Sequence, residues 1–385
     1  MNIEEFFDLL FSGELDFVVK RLSGNDTGAN GSHQVGIYLP REYFERSFPE
    51  ICTTKRQNPK SGFETVFFPQ YSLEASAVVA TYYNNRFFGG TRNEFRLTNW
   101  GGKESPIQDH ENTGSIMVLA KNGKKAYAWI AQTEEEELLI EEKLAQSVDP
   151  KDILLSWKQV AAPERPHWHE EWKTLFPKGY EIFEYVESHL PYTNGGNVDR
   201  LLLKRRELEF QVFREIEAFH LMPNLSNGFD SVDEFLKLAN SVTNRRKSRS
   251  GRSLELGLES IFRSKNIRFE TQVITEHNNR PDFIFPSIAY YRTAEPEDKA
   301  LRMLAAKTCC KDRWRQVVRE AGKISKKHLF TLQEGASLAQ IQQMKDAGIH
   351  LVIPEGNRNS FPKSERKWLT CLGSFCDEIV QIQSD

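Results

Sequence analysis

The chain has 385 residues, 39% of them hydrophobic and 27% charged, enough for more than one buried core and for two or three domains. Mean hydropathy is −0.55. No uncharged apolar run approaches the roughly 20 residues of a membrane span, and the acidic start Met1-Asn2-Ile3-Glu4-Glu5 is unlike a signal peptide, so a cytoplasmic location is expected. Net charge is −3, which excludes a strong overall pull on a polyanion.

The charge is unevenly divided: residues 1–190 carry −9 and residues 191–385 carry +6. That split can steer a polyanion to the second half, although ordinary surface charge produces it as well. The five cysteines include adjacent Cys309 and Cys310, and Cys371 and Cys376 lie without the CxxC pairs of a zinc site.

Residues 1–190 read mainly as β structure, with strands expected over 34–40, 115–120 and 126–132. Asn122-Gly123 lies between the last two and is a hairpin signal. The acidic run 134–137 could begin a solvated helix. His167-Trp168-His169-Glu170-Glu171-Trp172 has no third-ligand pattern and reads as packing rather than a metal site. Residues 191–200, with Asn194-Gly195-Gly196-Asn197, read as a linker.

The remainder, 201–385, begins with helical text over 200–219 and 232–241. A helix over 253–264 carries Leu254, Leu258, Ile261 and Phe262 on one stripe. Strands are expected at 267–275, 282–286 and 301–308. A helix over 312–326 follows, with Trp314, Val317, Val318 and Ala321 on its apolar face. Then come strand 328–333, helix 337–347 between Ser337 and Gly348, and strand 349–353. This alternation implies a partly parallel sheet.

Pro281-Asp282 opens an apolar strand, Lys307 ends another strand 25 residues later, and Glu320 follows 13 residues beyond. Glu255 lies upstream on the helix 253–264. Phosphodiester hydrolysis needs such a set. Carboxylates hold a hard cation, normally Mg2+, against a phosphate oxygen. A lysine at a strand end neutralises developing charge. A lone Pro-Asp or strand lysine is usually structural, so spacing by itself leaves the point open. The pattern departs from PD-(D/E)XK, because Ala305 stands where an acidic residue is expected two positions before the lysine. Glu320 is the substitute that the following helix can bring back along the sheet.

Three stretches resemble the EcoRII family of type II restriction endonucleases. They are 240–259, with Gly251-Arg252-Ser253-Leu254-Glu255; 301–316, with Leu304-Ala305-Ala306-Lys307; and 328–340. The resemblance runs through nearly the whole chain. It implies an α+β protein of two domains: an N-terminal DNA-binding β pseudobarrel (1–190) and a C-terminal α/β restriction-endonuclease-like PD-(D/E)XK domain (201–385). It implies Asp282, Lys307 and Glu320 as the catalytic centre, Asp282 and Glu320 as metal ligands, and Glu255 as an additional acidic position.

Lys311-Asp312-Arg313 suits a G·C pair read on both partners, since arginine pairs with guanine and aspartate accepts from cytosine. A solvated helix start capped by Asp312 is the plainer alternative. The resemblance implies double-stranded DNA of CCWGG type, cut in a staggered manner ahead of the first C, with a central pair that can be flipped out. It also implies a homodimer acting beside a cognate DNA methyltransferase. Arg245, Arg246, Lys247, Arg249 and Arg252 place five cations in eight residues, suited to phosphate contact or to a solvated basic loop.

In the N-terminal half, segments 25–36 and 91–98 resemble the two DNA-embracing arms of the family's effector domain. Matched residue by residue, His33, Tyr38, Arg92, Glu94 and Arg96 would contact effector DNA. Gly90 and Phe95 stand where the resemblance implies lysines, and their loss should weaken phosphate binding. The family's N-terminal domain binds a second copy of the site and restrains cleavage until it does. The alternative class is a sequence-specific DNA-binding regulator with an inactive nuclease fold.

Overall fold

The computed structural model describes residues 1–385 except 12–14, 31–35, 40, 69–74, 101–104, 134–135, 138, 141–167, 229–230, 309, 311–312, 334 and 385. Helix α1 (Ile3–Phe11) precedes strands β1 (Asp16–Arg21) and β2 (Ile37–Tyr38) and helix α2 (Arg41–Ser47). Strands β3 (Lys60–Phe68), β4 (Ser76–Tyr83), β5 (Glu94–Thr98), β6 (Ile116–Asn122) and β7 (Lys125–Ile130) complete a seven-stranded sheet in the order β1-β6-β7-β3-β4-β5-β2.

The sheet has a core on each face, which follows from its alternating side chains. Phe63, Phe67, Phe95 and Leu97 face α2 and Trp100 on one side. Val118, Ala120 and Trp129 meet Phe6, Phe7 and Leu10 of α1 on the other. The expected hairpin joins β6 to β7, with Gly123 at φ +56°. The two edge strands meet through a side chain, Lys20 Nζ donating to the Tyr38 carbonyl at 2.6 Å. Among the described residues no backbone ladder joins them. Glu137 does not lie on a solvated face as expected. It is buried, and its Oε2 is 2.8 Å from Arg21 Nη1.

Three helices follow, α3 (Gly179–His189), α4 (Val198–Asn227) and α5 (Val232–Ser264). Trp172, Ile182 and Tyr185 pack with Val212 and Phe213 of α4. The aromatic run ending at Trp172 is therefore packing, its first residue, His167, lying outside the described residues. Helix α5 corrects the expectation of two helices separated by a basic loop. Gly251 costs the helix only about 1 kcal/mol. The stripe Leu254, Leu258, Ile261 and Phe262 anchors its C-terminal half in the core, so the polar half extends from an anchored end. A Cβ at Gly257 would lie 2.6 Å from Leu202, so glycine sets the close crossing of α4 and α5.

Strands β8 (Glu270–Thr271) and β9 (Phe283–Phe285), helix α6 (Ile288–Thr293), strand β10 (Arg302–Lys307), helix α7 (Trp314–Val317), strand β11 (Lys327–Thr331), helix α8 (Leu338–Asp346), strands β12 (Ile349–Ile353) and β13 (Thr370–Cys371) and helix α9 (Leu372–Ser384) follow. The six-stranded sheet runs β13-β12-β11-β10-β9-β8. It is parallel from β10 to β13 and antiparallel at β9 and β8. Ser337 and Gln340 form the capping box that starts α8, and Gly348 at φ +72° ends it. Among the described residues no helix is long and apolar enough to cross a membrane.

Neighbouring strands β11 and β12 carry His328 and His350, with ring centroids 5.7 Å apart and His328 against Phe375 of α9. Burial, with help from Lys326, lowers His328 to about 3 and His350 to about 4. Both rings bind protons more readily unfolded, so their contribution to stability is full above about pH 6.5 and is lost as pH falls toward those values. For His328 the loss between pH 7.5 and pH 5 is on the order of 2 kcal/mol. The double variant His328→Asn/His350→Asn should be less stable at pH 7.5 yet lose less on moving to pH 5, measured by urea unfolding. A parallel loss in both proteins would remove this account.

Candidate active site

Asp282 leads into β9 and is 6% exposed. Its Oδ2 accepts from Ala306 N at 2.8 Å and Lys307 Nζ at 3.1 Å. Its Oδ1 accepts from Gln272 Nε2 at 3.0 Å. Register explains the meeting: β9 pairs with β10 through Phe283 and Leu304, which brings residue 282 beside the end of β10. Lys307 closes that strand opposite Thr331.

Glu320 comes from the chain covering the same sheet face. Ala305 shares a strand face with Met303 and Lys307, and Trp314, Val317 and Ala321 pack into the cluster that contains Met303 and Ala305. Glu320 Oε2 is buried with no hydrogen-bond partner. Burial first, then the negative charge of Asp282, pushes Glu320 up to about 7, while Lys307 and Lys327 pull the other way. Glu255, on α5, is raised by burial, and after that by Asp282, with Arg252 and Lys307 opposing. The four residues expected at the centre are thus brought together.

The expected helix over 312–326 is corrected to the single turn Trp314–Val317, and Glu320 lies beyond it. Competing partners take the backbone groups that would continue the helix. Gly322 N donates to Glu276 Oε2, Lys323 N to the Tyr291 hydroxyl, and the Arg319 carbonyl accepts from Asn279 Nδ2. Ala321 turns left-handed at φ +48°. Val318, expected on the apolar face, is exposed as a result.

These oxygen donors suit a hard divalent cation, and an orphaned buried carboxylate oxygen is what such an ion would satisfy. As they stand, no group of three or more ligating side chains among the described residues is arranged to hold one. Asp282 is tied to Lys307 and Gln272, and Glu255 Oε2 to Arg252 Nη1 at 2.8 Å.

Lys311 and Asp312 lie outside the described residues, and Arg313 stands half-buried at the start of α7. Cys310, the described residue that precedes it, donates its N–H to Gln333 Oε1 at 3.0 Å. The side chains of Arg245, Arg246, Lys247 and Arg249 also lie outside the description, although their backbone is part of α5. Arg252 is engaged with Glu255 and Glu259, at 2.8 and 3.2 Å.

A family model described as EcoRII C terminal matches residues 213–376, and one described as restriction endonuclease EcoRII, N-terminal, matches 13–160. The type II restriction enzyme EcoRII of Escherichia coli is 42% identical over 384 residues, covering 95% of this chain and 94% of that one. The chain belongs to the EcoRII family. It is a type II site-specific deoxyribonuclease. Among solved structures, a restriction endonuclease PspGI–substrate DNA complex aligns at TM-score 0.45 and 19% identity, over 55% of this chain and 95% of that one. Metal-depleted Ecl18kI with uncleaved, modified DNA aligns at 0.46 and 20%, over 56% and 84%.

In the EcoRII-type N-terminal half, four of the five expected effector contacts form one patch. Tyr38 pairs with Arg96 across β2 and β5, and Glu94 shares the outward face of β5 with Arg96. Glu94 accepts from Arg92 at 2.8 Å and Arg96 at 3.1 Å, and Arg92 lies over the Tyr83 ring at 4.5 Å. His33 lies outside the described residues. Phe95 is not a cation missing from this face. It points inward, stacked on Tyr82 with ring centroids 4.1 Å apart. Gly90 is held to glycine by Asn85, whose Cβ would be 2.9 Å from an added Cβ.

Two features have no signature in the sequence. One is Gln272. The other is a seam between the halves beside the active site. Glu111 Oε1 accepts from Ser337 Oγ at 2.7 Å, and its carbonyl accepts from Gln340 Nε2 at 3.1 Å. A Cβ on Gly114 would lie 2.9 Å from the Gln333 amide, and one on Gly335 3.0 Å from Gly24 N.

Proposed function

We propose that this enzyme hydrolyses double-stranded DNA at a CCWGG-type sequence with Mg2+. In this reading residues 1–190 form the effector-binding unit, residues 191–200 a linker and residues 201–385 the nuclease. The convergence of Asp282, Lys307, Glu320 and Glu255 about the end of β10 carries the reading. Asp282 and Glu320 would hold the cation, which polarises a phosphate oxygen and acidifies bound water. Lys307 Nζ, held by Asp282, neutralises charge developing on the phosphate. Glu255 orients the attacking water from the flank.

Lys311, Asp312 and Arg313 read the outer G·C pairs, and the basic turns of α5 hold phosphates. A two-fold target calls for a homodimer, and protection of the host's own sites calls for a paired methyltransferase. The cytoplasm is where both would meet DNA. Tyr38, Arg92, Glu94 and Arg96, with His33, receive a second DNA copy, and cleavage is restrained until they do.

The test is to digest genomic DNA with Mg2+ and sequence the ends. Staggered ends sharing CC and GG flanks are expected. Ends without a common sequence would defeat the specificity, and no cleavage at all would favour a DNA-binding regulator.

A further inference from the structure

We infer that Gln272 is a positioning residue that stands in for the cation. Its amide bridges Asp282 and Glu255 in the metal-free enzyme and withdraws when the metal arrives. The inference rests on the reading of these carboxylates as the metal centre. Gln272 sits one residue past the β8–β9 pairing of Thr271 with Phe283, directly opposite Asp282, whose carbonyl accepts from Gln272 N at 3.3 Å. Its φ is +52°, a conformation that glutamine rarely adopts and that glycine or asparagine would fill more cheaply. A costly backbone at that point indicates that the side chain is used.

That side chain reaches both carboxylates, with Nε2 3.0 Å from Asp282 Oδ1 and 3.5 Å from Glu255 Oε2. Only the NH2 end of the amide can face two carboxylates, so its orientation is fixed by its partners. The amide gives each of them part of what a cation would give, a positive dipole between like charges, without coordinating anything. Because it donates, it competes with a cation for the charge on Asp282 Oδ1. Unlike Asp282, which is 6% exposed, Gln272 is exposed and free to swing away without opening the core. This accounts for carboxylates that converge and yet form no metal-ready cluster among the described residues.

A placeholder stabilises the metal-free state more than the metal-bound state. Its removal should therefore tighten cation binding. A residue that only shapes the turn would leave binding unchanged, and a ligand acting through Oε1 would weaken it on removal. The variants are Gln272→Gly, which suits the backbone, and Gln272→Ala, which does not; agreement between them isolates the amide.

Free Mn2+ is counted by electron paramagnetic resonance over a titration of the full chain. Thermal midpoints are measured without metal and in saturating Mg2+. Both variants should bind Mn2+ about tenfold tighter than wild type, the gain from losing one charge-assisted hydrogen bond on the metal-free side. They should also show a larger Mg2+-induced rise in midpoint. Equal or weaker binding than wild type would overturn the proposal and leave the metal centre standing. Absence of Mn2+ binding in wild type and variants alike would overturn the metal centre and the proposal with it.

Discussion

Lys307→Ala is expected to lower kcat on target DNA by about a thousandfold while leaving DNA affinity in Ca2+ within about twofold, the pattern for loss of a group that acts on transition-state charge. The fold should tolerate the change, because Asp282 keeps the Ala306 amide and Gln272 as donors. Cleavage by the variant at the wild-type rate would remove Lys307 from the mechanism. Glu320→Gln should abolish cleavage to a similar extent and yet stabilise the metal-free protein. Glu320 is buried beside Asp282 and pushed up to about 7, so its ionised form is penalised in the fold. Its folded value lies above the unfolded one, so the contribution of Glu320 to stability is full below about pH 4.5 and is lost as pH rises through 7. The glutamine variant has no such slope. Its advantage should open across that window and reach on the order of 3 kcal/mol at pH 8. A destabilised variant at pH 8 would contradict the environment assigned to Glu320.

What could be read from the sequence follows the range of the interactions involved. Asp282 and Lys307 are legible because each borders an apolar strand, Phe283–Phe285 and Arg302–Lys307, and strand ends are where such side chains emerge. The capping box at Ser337 and the hairpin at Gly123 are local devices and are read directly. Glu320 lies near Asp282 and Lys307 as expected, but not by the expected helix. It arrives from an irregular segment whose backbone groups are held by Glu276, Tyr291 and Asn279, none of them predictable from helical spacing. Strand β3 hides behind Gly62 and Glu64, which weaken its pattern, although Phe63 and Phe67 supply the core face. Glu137 looks like part of a solvated acidic run until its partner Arg21, 116 residues earlier, is known. Gln272 and Glu111 depend on contacts made only in the folded chain.

Glu111→Lys is expected to speed cleavage of a plasmid with a single target site about tenfold, and to change cleavage of a two-site plasmid little. The argument starts from helix α8. Ser337 caps it and Gln340 closes the capping box, and both also reach across to Glu111. A carboxylate at a helix N-terminus is favoured by the exposed N–H groups and a lysine is disfavoured, so the exchange converts an attraction into a repulsion. The helix itself stays capped, because Ser337 Oγ accepts from Gln340 N independently of Glu111. The seam bears on the site through Gln333. This residue lies close against Gly114 of the N-terminal half and holds Cys310 N, the last described position before Lys311-Asp312-Arg313. Thr331, two residues back, donates to the Thr308 carbonyl just past Lys307. The seam thus reaches Cys310, next to the triplet proposed to read the bases, and weakening it by about 1.4 kcal/mol shifts the balance tenfold toward release. In the proposed function, effector DNA at the Tyr38, Arg96 and Glu94 patch would supply the same release in the wild type, so two-site plasmids would have little left to gain. An unchanged single-site rate would show that the restraint lies elsewhere than in this seam. Equal acceleration on both plasmids would show that Glu111 acts on the chemistry and not on the restraint.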